Sequence, residues 1–186
     1  MTNGAEGGGG GVHHCSEWGG FEVIYKQVAV VGWGKSVVGL ALKLLQWTDK
    51  LTYLTDGNER GWTKEHTSKL LAFGMGVKDE KIVELEGKAP YATAAVLSTG
   101  ERVPLDAIFF TIGTERSCDL AEKLGCKLVE GTPCLEVDDY KKTSVDGVYA
   151  IGDLAPGSQP AITPAADAAG AATEVNQTLL EPAARV

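Results

Sequence analysis

Nowhere in this 186-residue sequence do two cysteines stand at C-x-x-C spacing; the four thiols fall at positions 15, 118, 126 and 134. That spacing suits neither a zinc ribbon nor a local redox pair, and scattered reduced thiols are the expectation. Runs of lysine or arginine are also absent, and the formal net charge is −8. Nucleic acid and anionic bilayers are therefore not expected partners. No apolar stretch approaches the length of a membrane span. The N-terminus lacks the charged and apolar regions of a secretory signal, so the expected location is cytoplasmic. His13, His14 and Cys15 are consecutive. Adjacent side chains rarely point at one ion and no distant cluster completes a ligand set, so no metal is expected.

What is present suffices for a core. Apolar residues make up 44% of the chain, enough for one domain or two small lobes. Residues 1–11 are dominated by glycine, five of them in succession from Gly7 to Gly11. Such a segment cannot offset its ordering entropy and reads as a flexible leader. The chain is organised around the stretch from Gln27 to Ala41. A continuous apolar run, Val28 to Val31, stops at Gly32-Trp33-Gly34, and an amphipathic run follows at once. This pattern predicts a buried parallel strand, a tight turn and a helix over about Lys35–Trp47, with Val38, Ala41, Leu42 and Leu45 at helical spacing. A turn of this kind brings backbone N–H groups and a helix N-terminus to a pyrophosphate. Gly32, Gly34, Lys35 and Ser36 are the candidate residues. Val37 stands where the full fingerprint has its third glycine.

A second strand, Leu51–Thr55, ends at Asp56-Gly57 and completes a right-handed β-α-β unit with a parallel sheet. Asp56 lies 24 residues after Gly32, near where a dinucleotide-binding unit places an acid on the adenosine ribose; equally, Asp56-Gly57 begins a turn. A helix is predicted from Thr63, its cap, to Phe73, with Gly74 terminating it. Lys81–Glu86, Tyr91–Ser98 and Arg102–Leu105 read as an antiparallel meander, and Ala107–Ile112 as a central strand ending at Gly113. Beyond it come a short helix over Asp119–Leu124 closed by Gly125, and a strand over Leu135–Val137. A short buried strand over Val148–Ile151 ends in Gly152-Asp153. A loop with Pro156 to Pro160 then leads into an alanine-rich helix over about Thr163–Leu180.

These pieces in this order resemble the thioredoxin-reductase-like branch of the pyridine nucleotide-disulfide oxidoreductases, which insert an NAD(P)H-binding domain into a split FAD-binding domain. The resemblance rests on His14-Cys15, Gly32-Trp33-Gly34, the meander from Lys81 to Leu105, Thr111-Ile112-Gly113, and above all Asp146-Gly147-Val148-Tyr149-Ala150-Ile151-Gly152-Asp153. It implies an α/β fold: a Rossmann-like NAD(P)-binding domain with an antiparallel meander, plus the C-terminal part of a split FAD-binding domain. The implied boundaries are a leader at 1–11, a degenerate thiol motif and linker at 12–26, the NAD(P) domain at 27–114 and the FAD-domain half at 115–186. The resemblance further implies that Gly113 and Gly152 belong to cofactor-binding turns. Asp153 would bond the FAD ribitol, and the backbone at Pro160, Ala161 and Ile162 would face the flavin edge. The lesser alternative for Asp153 is a turn aspartate or helix-entry cap.

Three departures from the family pattern shape the functional reading. No strand-turn-helix precedes the thiol motif, so the chain reads as the C-terminal portion of the fold, without the ADP-binding half of the FAD site. Trp18 occupies the second cysteine position, which leaves Cys15 as a relic with no partner for dithiol chemistry. Asp56-Gly57 stands where NADPH-using members place basic residues, with Arg60 and Lys64 only nearby, and the choice between NADH and NADPH stays open. The expected function is hydride transfer from NAD(P)H to flavin and on to a small-molecule or protein acceptor. The alternative is a non-catalytic nucleotide-binding module or redox-inactive remnant. A homodimer, or a partner chain supplying the missing FAD half, is the expected assembly.

Overall fold

The computed structural model describes residues 11–157 and 160–180. The glycine-rich segment 1–10 and residues Ser158 and Gln159 of the loop before the last helix lie outside the described residues. The chain divides after Gly113 into two compact units.

The first unit is built on a five-stranded parallel sheet, spatial order β1-β8-β2-β3-β4. Its strands are β1 (Val12–His13), β2 (Val28–Gly32), β3 (Leu51–Leu54), β4 (Gly76–Lys78) and β8 (Ala107–Thr111). The middle strand, β2, is buried at all five residues because both of its faces are covered. Val28 and Val30 point into a cluster with Val37, Val38, Ala41 and Leu44 of α2 (Gly34–Leu44) and Leu70 of α3 (Lys64–Ala72). Ala29 and Val31 point the other way, against Ala92, Ala95, Leu97 and Val103. Those residues belong to the antiparallel meander β5 (Ile82–Lys88), β6 (Tyr91–Leu97) and β7 (Arg102–Pro104). The unit is thus three layers deep: helices, parallel sheet, meander. The mixed α/β architecture expected from the sequence is present, with a parallel and an antiparallel sheet.

Several local expectations shift. Helix α2 ends at Leu44 rather than Trp47; its last turn tightens, with the Trp47 N–H bonding the Leu44 carbonyl at 2.9 Å. Its buried face is Val37, Val38, Ala41 and Leu44, while Leu42 and Leu45 only flank the core. Val37, at the third fingerprint position, is fully buried against the sheet. Helix α3 is capped as its sequence suggests: the Thr63 hydroxyl serves the His66 backbone, and the His66 ring accepts the Thr63 N–H at 3.3 Å. Gly74 closes it with φ +73 and an N–H bond to the Leu71 carbonyl.

Two short strands are absent from the sequence expectation, β1 and β4. Strand β1 draws the start of the chain into the sheet, pairing Val12 with Ile108 and His13 with Phe109. Gly11 is already buried and donates its N–H to the Pro90 carbonyl at 3.0 Å, so the leader expected to reach residue 11 is tied down at its last glycine. After Cys15, α1 (Ser16–Gly19) turns the chain. A methyl group at Gly20 would lie 2.3 Å from the Trp47 ring nitrogen, so this turn admits glycine alone.

The second unit has a small core of Cys126, Leu135 and Ala150, flanked by Ala121, Leu128, Val137, Val145 and Val148. Its helices are α4 (Leu120–Lys123) and α5 (Ile162–Leu179). The strands expected at Leu135–Val137 and Val148–Ile151 do not form. The segments meet through isolated bridges, Leu128 with Leu135, Val137 with Thr143 and Lys142 with Tyr149, and only Ala150 of the second segment is buried. A strand needs a partner over several residues, and each neighbour here supplies one pair.

Candidate functional site

In the first unit the carboxyl ends of β2, β3 and β8 finish side by side, with Gly32 opposite Thr111 and Val31 opposite Leu54. The Gly32–Gly34 turn leaves β2 at this edge, where open α/β sheets bind their ligands. Gly32 has φ +153, and a methyl there would lie 2.5 Å from the Thr111 carbonyl oxygen. Only glycine lets the two strands approach so closely. Gly34 has φ +75, but a methyl on it would meet nothing within 4 Å. The turn is therefore tight beneath and open above. Trp33 enters α2 with an extended backbone and no side-chain cap. Apart from the Gly34 N–H, which the Arg60 carbonyl takes, the helix N-terminus thus keeps donor groups for an anion. Lys35 and Ser36 are exposed in the first turn, and the Thr111 and Ser36 hydroxyls are 3.5 Å apart.

Three residues support the turn, of which the sequence had named Arg60 alone, as a cation near the end of the second strand. The buried Tyr53 of β3 donates its hydroxyl to the Gly32 carbonyl at 2.5 Å and packs its ring 4.5 Å from that of Trp62. Burial pushes the Tyr53 phenol well above its ordinary pKa, with the nearby Asp79 carboxylate adding to the shift, so it remains a donor. Arg60 lends its backbone carbonyl to the Gly34 N–H at 2.8 Å. Its guanidinium forms a two-point pair with Asp79, Nε to Oδ1 at 2.8 Å and Nη2 to Oδ2 at 2.5 Å. The bonded Arg60 holds the Asp79 carboxyl below the usual aspartate range. Gly61 lies close enough that a methyl on it would come within 3.2 Å of the Gly34 nitrogen.

Asp56 takes a left-handed conformation, φ +53, and its carboxylate accepts the Ile82 N–H at 2.8 Å. It ties the end of β3 to the start of the meander, and one of its oxygens is thereby committed within the protein. Gly113, φ +92, closes the first unit with nothing within 4 Å of an added methyl.

The thiol motif lies elsewhere in the same unit. Cys15 is partly buried, its sulfur 3.4 Å from the Glu17 carboxylate, which also pairs with Lys43. Trp18 is 65% exposed, so no sulfur or buried group takes the second cysteine's place. His13 stacks on Phe109 with ring centroids 4.8 Å apart, and burial lowers its pKa.

In the second unit Gly152 adopts φ +68 and starts a single 3-10 turn, Gly152–Leu154, that exposes Asp153. Asp153 lines a cavity of about 260 Å³ together with Thr114, Arg116, Ser117, Cys134 and Leu154. Arg116 pairs with Glu122 and donates to the Pro133 carbonyl, while its Nε is buried without a partner. Pro160, Ala161 and Ile162 are exposed where α5 begins, and Ala161 precedes the helix without a side-chain cap.

Comparison with known proteins identifies the family. The family model described as pyridine nucleotide-disulphide oxidoreductase matches residues 2–172. The chain belongs to this family. Its members bind FAD and NAD(P)H. Rubredoxin-NAD(+) reductase of Pseudomonas putida is 33% identical over 89 residues, 47% of this chain and 22% of that protein. Thioredoxin reductase of Bacillus subtilis is 29% identical over 158 residues, 79% of this chain and 48% of that protein. Among solved structures, thioredoxin reductase from Streptococcus pyogenes superposes with a TM-score of 0.78 at 24% identity, over 91% of this chain and 57% of that one. The chain spans about half the length of these thioredoxin reductases. The family relationship suggested by the Gly32–Gly34 turn and the Asp146–Asp153 segment is therefore established. No described helix is long and apolar enough to cross a membrane.

Proposed function

We propose that this chain supplies the pyridine-nucleotide-binding portion of an NAD(P)H-dependent flavoprotein oxidoreductase whose electrons pass to an acceptor other than a disulfide at Cys15. The observation that carries this reading is the turn at the sheet edge: Gly34 opens onto free space above it, and α2 begins without a side-chain cap. A pyrophosphate fits such a place, because helix N–H groups and the helix dipole favour an anion there. Tyr53 and Arg60 fix the turn from below and from the side, so little reorganisation accompanies binding. Lys35 and Ser36 offer a cation and a hydroxyl at the first turn of the helix.

In the second unit Gly152, Asp153 and the start of α5 at Pro160, Ala161 and Ile162 would take the flavin side. The exposed Asp153 carboxylate at the cavity mouth can accept hydrogen bonds from a polyol. When bound, nicotinamide and flavin carry the hydride chemistry; the residues named here bind and orient them. The remaining FAD contacts would come from a further polypeptide segment or a partner chain, and a homodimer is compatible with the same arrangement. The acceptor is a small molecule or a redox protein.

The second reading is a nucleotide-binding module without turnover. It is favoured by Cys15, whose thiol faces the Glu17 carboxylate rather than a second sulfur. Calorimetry with NADH, NADPH and FAD, followed by dye reduction under NAD(P)H, separates the two. Nucleotide binding with dye reduction supports the oxidoreductase; nucleotide binding without it, even with FAD added, supports the module. Absence of any nucleotide binding would sink both.

A further inference from the structure

The Arg60–Asp79 pair joins two segments beside the nucleotide turn. Arg60 follows β3 and reaches the turn through its backbone, the Gly34 N–H bonding its carbonyl at 2.8 Å. Asp79 follows β4 and is anchored at the carboxyl end of β3. Its carbonyl accepts the Thr55 hydroxyl at 3.0 Å, and the neighbouring Lys78 carbonyl accepts the Thr55 N–H at 3.0 Å. The end of the second strand is where a dinucleotide-binding unit meets the adenosine ribose, and an arginine nearby is what accommodates a 2′-phosphate. Here one edge of that arginine, Nε and Nη2, is already engaged by a carboxylate and its charge is paired.

We infer that Asp79 determines nucleotide choice: by holding Arg60 in a two-point ion pair at the ribose end of the site, it withdraws the cation a 2′-phosphate requires and selects NADH over NADPH. The inference rests on the reading of the Gly32–Gly34 turn as a pyridine-nucleotide site.

The carboxylates around the pair act in the same direction. A 2′-phosphate carries roughly −1.5 to −2 at neutral pH. It would approach Asp79 itself, with Asp56, Glu59 and Glu80 close by in the chain, and one Glu80 oxygen is buried without a hydrogen-bond partner. To free Arg60, the phosphate would have to displace a bidentate carboxylate, the strongest geometry a guanidinium makes. A ribose diol makes no such demand. Lys78 does not substitute, since it pairs with Glu101 at 2.7 Å. The pair is only partly exposed on the arginine side, 33% against 54% for the aspartate, so bulk water does not compete freely for Arg60.

The test is titration calorimetry of the whole chain with NADH and NADPH, and with adenosine 2′-phosphate against adenosine as fragment probes. The wild-type protein should bind NADH at least tenfold tighter than NADPH. Asp79→Asn should tighten NADPH and adenosine 2′-phosphate about tenfold and leave NADH within about twofold; Arg60→Gln added to it should remove the gain. Arg60→Gln alone gives a readout that does not depend on the Asp79 variant folding. With Arg60 already withdrawn, it should change NADPH affinity less than threefold. An NADPH preference in the wild type overturns the inference, as does an unmoved ratio in Asp79→Asn or a tenfold NADPH loss in Arg60→Gln. In each of those cases nucleotide still binds and the reading of the turn survives. If neither nucleotide binds the wild type, the reading and the inference fall together.

Discussion

The hydroxyl of Tyr53 donates to the carbonyl of Gly32 at 2.5 Å from a side chain with no exposure to solvent. A tyrosine on one strand thereby fixes the peptide that ends its neighbour and starts the turn. Tyr53→Phe keeps the ring and its contact with Trp62 but leaves the Gly32 carbonyl short of a donor. The expected loss is about 1–3 kcal/mol in denaturant-induced unfolding. A several-fold weaker nucleotide affinity should accompany it if the turn is the nucleotide site.

The two glycines of the turn should separate stability from binding. Gly32→Ala forces a methyl to 2.5 Å from the Thr111 carbonyl oxygen, and backbone on both sides resists. A loss of about 2–4 kcal/mol, or failure to fold, is expected. Gly34→Ala meets no atom and incurs only the left-handed conformation, about 1–2 kcal/mol. Its methyl points into the open space above the turn, so nucleotide binding should fall by far more than stability does. Equal losses on both measures would remove the assignment.

Stability should depend on pH through His13. Burial holds its folded-state pKa below the ordinary value of 6.5, and the cations Lys26 and His14 add to this against Glu22. The unfolded chain therefore takes up this proton more readily than the folded one. Stability is full above the unfolded value and declines as pH falls below about 6.5 towards the folded value. His13→Asn should flatten the dependence across that interval in urea titrations taken from pH 7.5 to 5.5.

Cys15→Ser tests whether the remaining thiol takes part in electron transfer. Its sulfur touches a carboxylate and no second sulfur. If the thiol is a relic, dye reduction by the flavin-loaded protein stays within about twofold and unfolding shifts by less than about 1 kcal/mol. A large loss of dye reduction with intact folding would assign Cys15 a role in turnover.

The strand-turn-helix at Val28–Leu44 was legible because its pattern is redundant. A run buried on both faces, two glycines with positive φ and an amphipathic helix all demand the same arrangement. The meander was legible through its turns. Strands β1 and β4 were not, because two or three residues cannot display a period of two. The supporting contacts were lost with them. Asp79 owes its position to β4, and Arg60, legible as a cation near the end of the second strand, showed no sign in the sequence of the carboxylate that engages it. Val148–Ile151 failed in the opposite sense, since apolar composition announces a strand but pairing makes one, and Lys142 with Tyr149 is its one bridge.

Among the described residues, Tyr53, Arg60, Gly61 and Thr111 frame the Gly32–Gly34 turn and Asp79 holds Arg60, and all of them precede the division at Gly113. The frame is therefore portable. Whatever sequence is joined after Gly113, the turn and its supports are specified upstream of the join.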